Sequence, residues 1–120
     1  MNDSLVDFSF IYDMSDNDSV YVNEVATLFL KTVSDGLAKL EDLINNSDDF
    51  EQIRRQAHFL KSSANVIKIK GMFDDFIGIE MIAREGSEKG KMLPILENLL
   101  ITFKEALPVL EAEIAKTKPK

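Results

Sequence analysis

Apolar residues recur every three or four positions in four long stretches of the chain. A helix turns about 100° per residue, so this spacing places the apolar side chains on one face. Each stretch is therefore predicted to form an amphipathic helix whose apolar face packs inward. The predicted helices cover approximately residues 19–44, 48–69, 72–86 and 93–116.

The second and fourth predicted helices have the most regular apolar faces. In the second helix the stripe consists of Phe50, Ile53, Ala57, Leu60, Ala64 and Ile67. In the fourth helix it consists of Leu93, Leu96, Leu100, Phe103, Leu107, Leu110 and Ile114, and a kink is expected before Pro108. At the start of the second helix, Asp48 and Glu51 resemble a capping box, which predicts that the helix begins there.

The segments outside these helices are polar or short. Residues 1–17 are predicted to form an N-terminal segment with a short helix or turn over 3–12, and residues 117–120 a frayed basic tail. No strand pattern is recognised. Short connections between four amphipathic helices predict an all-α fold, an antiparallel up-down-up-down four-helix bundle preceded by a short N-terminal helix. One domain is expected over residues 1–120, with the bundle at 18–116.

Composition narrows the class of protein. A chain of 120 residues, 45% of them hydrophobic, can bury one core. It has no cysteine, which excludes disulfides and thiolate metal sites and agrees with a reducing cytoplasm. The net charge of -7 disfavours general nucleic-acid binding, and no segment reaches the roughly 18 apolar residues of a membrane span. We therefore expect a cytoplasmic monomer that binds neither nucleic acid nor membranes.

His58, the only histidine, lies off the apolar stripe of the second helix. Its side chain is therefore predicted to face solvent or a partner. Residues 52–70 contain no acidic residue, and their positive charge favours the approach of an anionic group. The same pattern is also compatible with a solvated helix face. The basic residues are Arg54, Arg55, Lys61, Lys68 and Lys70.

Apolar side chains accompany His58 outside the core stripe. When the helical wheel is continued to residue 69, Phe59, Val66 and Ile69 fall on the outer face. An apolar outer face predicts a docking surface for a partner or for another part of the chain.

Other kinds of chemistry have less support. The run at 16–18 begins like a calcium loop, but Val20 and Tyr21 occupy the positions of a ligand and of the required glycine. The carboxylates near residues 74–80 have no second histidine, so a solvated face is expected there instead of a metal site. A glycine-rich phosphate loop is missing, which argues against ATP binding. Neither a metal nor a cofactor is therefore expected.

The segment around His58 resembles the histidine-containing phosphotransfer (HPt) domains of multistep two-component signalling. The motif of that family reads approximately His-x-Leu-Lys-Gly-[Ser/Ala]-[Ser/Ala], and this chain has His58, Leu60, Lys61, Ser63 and Ala64 in register. Twenty-two residues after the histidine, where the family usually has Glu or Gln, this chain has Glu80. The resemblance extends over nearly the whole chain.

The resemblance implies a phosphocarrier, not an enzyme with its own kinase machinery. His58 would accept a phosphoryl group from the aspartate of a receiver domain and pass it to another receiver. Lys61 would hold the phosphoryl oxygens. Glu80 would accept the proton of the second ring nitrogen, or would simply pair with Arg84 on its own helix. The implied partners are receiver domains, which supply the magnesium, and an upstream hybrid sensor histidine kinase.

The partner-binding surface expected from this resemblance and from the helical wheel lies around His58. Its residues are Arg54, Arg55, Phe59, Ser62, Asn65 and Ile69. Ser62 and Lys68 replace glycines of the family motif, and Ser62 is expected to modulate how closely a partner approaches. The alternative is a helical adaptor that binds a receiver or another signalling protein through the same face without transferring phosphate.

Overall fold

The computed structural model describes residues 5–119. Over this part of the chain the fold is helical apart from one pair of two-residue strands. The elements are β1 (Val6–Asp7), α1 (Ser9–Met14), α2 (Ser19–Asn46), α3 (Phe50–Ser63), β2 (Lys68–Ile69), α4 (Met72–Glu85), a 3-10 turn (Lys89–Lys91) and α5 (Met92–Lys116).

The first long helix, α2, agrees with the prediction from the apolar pattern. Its first turn is capped by Asp18, whose carboxylate accepts hydrogen bonds from the backbone N–H groups of Val20 at 2.9 Å and Tyr21 at 3.4 Å. The preceding turn holds Asp16 and Asn17 at positive φ, a conformation that these two residue types tolerate. The helix then continues to Asn46, two residues beyond the predicted end.

The helix that carries His58 is shorter than predicted at both ends. Its cap is Asp49, which accepts from the backbone N–H of Gln52 at 3.1 Å, so the capping box assigned to Asp48 and Glu51 is wrong. It ends at Ser63, not near Ile69. The β-branched residues of the segment Val66–Ile69 favour extended backbone, and the chain turns out of the helix before them.

The segment after α3 forms a strand, which the apolar pattern did not predict. β2 pairs antiparallel with β1, with Val6 opposite Ile69 and Asp7 opposite Lys68. Ile69 is only 4% exposed, as is Val6, so Ile69 belongs to the core and not to the partner-binding surface. The helical wheel failed there because it was continued past Ser63, where the helix has ended.

The four long helices enclose one apolar core. α2 and α4 each pack against α3 and α5. Each large side chain buried in this core contributes on the order of 1.5–3 kcal/mol of hydrophobic stabilisation. Fully buried members from the four helices include Leu40, Ile53, Leu60, Phe76, Ile79 and Leu99.

α5 packs on a face rotated slightly from the predicted one. Leu99 and Ala106 are buried, whereas Leu93 is exposed and Leu107 only partly buried. The leucine-rich sequence offers two overlapping stripes that share Leu96, Phe103 and Leu110, and periodicity alone does not choose between them. Pro108 lies inside α5, and the helix continues through it to Lys116. No helix within residues 5–119 is long and apolar enough to cross a membrane.

The two ends of the described chain are held against the bundle by polar contacts. The phenol of Tyr12, in α1, donates a hydrogen bond to the carboxylate of Glu113 in α5. Burial and this carboxylate together raise the pKa of Tyr12 to about 12. Thr117 is buried, and its hydroxyl is 3.3 Å from the side-chain amide of Asn23, so the predicted frayed tail is wrong at this residue. Residues 1–4 of the predicted N-terminal segment, and Lys120, lie outside the described residues.

Gly36 allows α2 to approach α3 closely at the level of Gln56 and Leu60. The side-chain amide of Gln56 donates to the Gly36 carbonyl oxygen at 3.0 Å. A Cβ atom at Gly36 would lie 2.4 Å from a methyl carbon of Leu60, which is completely buried. The missing side chain therefore sets the distance between the two helices at this level.

We expect Gly36→Ala to destabilise the fold. Overpacking against Leu60 costs about 1–3 kcal/mol, whereas alanine in a helix gains at most about 1 kcal/mol over glycine. Gly78→Ala is the matched control in α4, because its nearest neighbour is the end of the Ile95 side chain at 3.2 Å. Denaturant unfolding should give a lower free energy of unfolding for Gly36→Ala than for Gly78→Ala. Equal values would contradict a packing role for Gly36.

Candidate functional site

His58 lies on the outer surface of α3, as the helical wheel predicts. Its side chain is 57% exposed, while its neighbours Ala57 and Leu60 are completely buried. The helix is therefore anchored in the core directly beneath an accessible imidazole. This arrangement gives the ring a defined position without covering it.

Glu80 of α4 is the buried group to which the imidazole is bound. Its side chain is 5% exposed, and its Oε2 atom lies 2.8 Å from Nδ1 of His58. The ammonium of Lys61 donates to Oε1 at 2.9 Å. The guanidinium of Arg84, one turn along α4, lies farther away at 3.7 Å. Both environments considered for Glu80 are therefore present, and the closer contacts are those with α3.

These contacts hold Glu80 in its charged form. The hydrogen bond from Lys61, and more weakly that from His58, lowers the pKa of Glu80, while burial acts in the opposite direction. An ionised carboxylate can only accept hydrogen bonds, so Nδ1 of the neutral ring carries the proton and Nε2 carries the lone pair. Within residues 5–119, no group forms a hydrogen bond with Nε2 of His58.

Three of the basic residues around His58 are paired with carboxylates, so the net positive charge there is smaller than the count over residues 52–70 indicates. Arg54 binds Glu51 through two nitrogen atoms at 2.9 and 2.7 Å, and Arg55 binds the same carboxylate at 3.0 Å. These two arginines lower the pKa of Glu51 to about 2. Counting charges over residues 52–70 missed both Glu51, which precedes that window, and Glu80, which comes from the next helix.

An exposed apolar groove runs between α2 and α3 beside His58. Phe59 is 50% exposed, and Leu28 of α2 is 65% exposed. Leu28 was missed as a candidate because only core positions of α2 were considered, although its place beside the stripe of Val25 and Phe29 was a usable signal. The groove is lined by Val25, Leu28, Phe29, Thr32, Phe59, Ser63 and Val66.

The three remaining residues of the predicted partner-binding surface differ in their exposure and in their position relative to His58. They are Ser62, Asn65 and Ile69. Ser62 is exposed one turn after His58, and its hydroxyl lies 3.4 Å from the His58 carbonyl oxygen. Asn65 is exposed beyond the end of α3, in a separate hollow that also includes Lys68 and Asp74. Ile69 is buried and does not join the exposed set. Among residues 5–119, no cluster of three or more His, Cys, Asp or Glu side chains could hold a metal ion.

The chain belongs to the Hpt domain family, because the model of that family matches residues 24–107. His58, Lys61 and Glu80 all lie within the matched residues. Hpt domains are phosphocarriers of two-component phosphorelays, and they interact with receiver domains and kinases without being kinases themselves. No curated protein and no solved structure gives a significant match.

We expect the contribution of Glu80 to stability to depend on pH. Its folded-state pKa lies below the ordinary value of 4.5, so the carboxylate stabilises the fold above that pH. This contribution is lost as the pH falls through the lowered, folded-state pKa. Glu80→Gln should therefore lower the free energy of unfolding by about 1–3 kcal/mol at neutral pH and by less at about pH 2.

The matched control for this measurement is Glu97→Gln, at an exposed position of α5. It should change stability little at either pH. Lys61→Met completes a double-mutant cycle with Glu80→Gln, in which the coupling between the two residues should shrink in acid. A loss in Glu80→Gln that is the same at both pH values would contradict the assigned ionisation.

Proposed function

We propose that this protein accepts a phosphoryl group on Nε2 of His58 from a receiver-domain aspartate and passes it to another receiver. The observation that carries this proposal is the bond between Nδ1 and buried Glu80, which leaves the nucleophilic nitrogen free at the surface. The proposal includes an upstream hybrid sensor kinase, a cytoplasmic location and a monomeric state. For the fold, we propose that the four long helices form an antiparallel bundle in up-down-up-down order.

The transfer we propose is an in-line displacement at phosphorus. The Nε2 lone pair forms the bond to phosphorus while the bond to the receiver's aspartate oxygen breaks, and the aspartate leaves as a carboxylate. Nδ1 keeps its proton, so the phosphorylated ring gains positive charge. Glu80 already faces that charge at 2.8 Å and stabilises it without reorganising. Onward transfer reverses these steps with a second receiver.

Lys61 has two tasks in this proposal. It neutralises the buried carboxylate of Glu80 through their 2.9 Å contact. Its side chain remains 24% exposed one turn after His58, so its charge also acts on an incoming phosphoryl group. Removing it would affect both the fold and the reaction, and its effect on stability should exceed that of an ordinary surface lysine.

The apolar groove beside His58 supports docking of a protein partner. Phe59 faces α2 and Glu80 faces α3 from α4, so His58 lies between the groove and the buried ion pair. A partner that covers Phe59 and Leu28 would bring its own reacting group next to Nε2. Contiguous exposed apolar side chains are typical of protein interaction sites.

The first test is His58→Gln, incubated with a phosphorylated receiver domain. We expect no labelling, because the chain has no second histidine, and an unchanged fold, because the side chain is exposed. Lys61→Met should be labelled more slowly than the parent. Labelling is followed by transfer of radioactive phosphate, and circular dichroism confirms folding.

Labelling of His58→Gln to the level of the parent would refute the assignment of the acceptor. A parent that binds receivers tightly but takes no label from any of them would instead favour the adaptor.

A second test concerns the docking groove. Phe59→Ala and Leu28→Ala should each weaken receiver binding by about 1–2 kcal/mol, which is roughly five- to thirtyfold in Kd. Ile101→Ala, at a 51% exposed position of α5 outside the groove, is the matched control and should bind like the parent. Isothermal titration calorimetry measures the affinities. Equal affinities for all four proteins would exclude the groove from the interface.

A further inference from the structure

Four polar side chains of α3 lie one turn from His58. Three of them are cations already bound to carboxylates: Arg54 and Arg55 to Glu51, and Lys61 to Glu80. The fourth is Ser62, the residue that replaces the glycine of the family motif. Among these four side chains, the Ser62 hydroxyl is therefore the donor that is not bound to a carboxylate.

The position of the Ser62 hydroxyl is suited to a group bound on His58. Helical side chains tilt towards the N-terminus of their helix, which directs Ser62 back towards the histidine one turn earlier. The one hydrogen bond that it makes within residues 5–119, to the His58 carbonyl oxygen, is long at 3.4 Å. The residue is exposed, and a hydroxyl can rotate to a better acceptor.

We propose that Ser62 is a positioning residue whose hydroxyl donates a hydrogen bond to a phosphoryl oxygen on Nε2 of His58 and thereby prolongs the life of the phosphohistidine. This inference rests on the proposed function, because it requires His58 to carry the phosphoryl group. It assigns to Ser62 a chemical role beyond the effect of its size on the approach of a partner.

The physical reason lies in the transition state of hydrolysis. Water forms a bond to phosphorus while the bond between phosphorus and Nε2 breaks, which releases inorganic phosphate and free imidazole. In a loose, metaphosphate-like transition state the phosphoryl oxygens carry less negative charge than in the phosphohistidine. A hydroxyl bonded to one of those oxygens therefore stabilises the phosphohistidine more than the transition state, and hydrolysis slows.

The test uses phosphoramidate, a small donor that needs no receiver. Nε2 displaces its nitrogen from phosphorus and ammonia leaves, which gives phosphohistidine on the isolated full chain. Its decay is followed by phosphorus NMR in the parent, Ser62→Ala, Ser62→Gly and Ser62→Thr. Ser62→Ala removes the hydroxyl but nearly keeps the volume, Ser62→Gly removes both, and Ser62→Thr keeps the hydroxyl.

We expect the phosphohistidine to decay about tenfold faster in Ser62→Ala and Ser62→Gly, and at nearly the rate of the parent in Ser62→Thr. A tenfold change corresponds to about 1.4 kcal/mol, within the range of a hydrogen bond to a charged group. Ser19→Ala, at an exposed serine in the first turn of α2 and outside both the groove and the site, is the control and should decay like the parent. A change of stability alone would not reproduce this pattern among the variants.

Equal decay rates in the parent and in Ser62→Ala would overturn the role of Ser62 while leaving His58 as the acceptor. Stable phosphohistidine that never exchanges with a receiver would refute the proposed relay, yet a faster decay in Ser62→Ala would still support the hydroxyl contact. If neither phosphoramidate nor a phosphorylated receiver labels His58 in the parent, both proposals are overturned.

Discussion

A carboxylate cannot remain charged inside a protein unless other groups compensate it, and Glu80 is such a carboxylate. It has two partners on α3, an imidazole and an ammonium, and a more distant guanidinium on its own helix. The need to satisfy this one group therefore joins α3 to α4 and fixes the face that the imidazole presents. In the proposed transfer the acceptor nitrogen follows from the same constraint, because only one ring nitrogen can meet Glu80.

The parts of the fold that the sequence predicts best are those where one periodic pattern runs without competition. α2 is an example, since the structure has it begin at Ser19, the predicted start, directly after its cap Asp18. The prediction fails after Ser63, where apolar residues continue but the backbone becomes extended. A helical stripe and a buried strand both contain apolar residues there, and pairing with Val6, more than sixty residues earlier in the chain, decides between them. Such a distant partner leaves no local signal.

The site was predictable to the extent that it depends on spacing along a helix and on resemblance to a family. Both identified His58 and Lys61, and the family spacing indicated Glu80. The pairing of Glu51 with two arginines was predictable from its spacing of three and four residues on the same helix. The pairing of Lys61 with Glu80 was not predictable from charge counting, because it depends on how α4 packs against α3. Leu28 illustrates the same limit, since its neighbour Phe59 comes from another helix and only the packing of α2 against α3 brings them together.

The contact between Tyr12 and Glu113 has a practical consequence for studies in solution. The chain contains two tyrosines and no tryptophan, so its intrinsic ultraviolet signal comes from very few groups. Tyr12 joins the first helix to the last, and its hydrogen bond is made to a carboxylate. Its absorbance and fluorescence should therefore report whether the terminal helices are docked, without any label attached near His58. Opening of the ends of the chain can thus be distinguished from events at the imidazole within one sample.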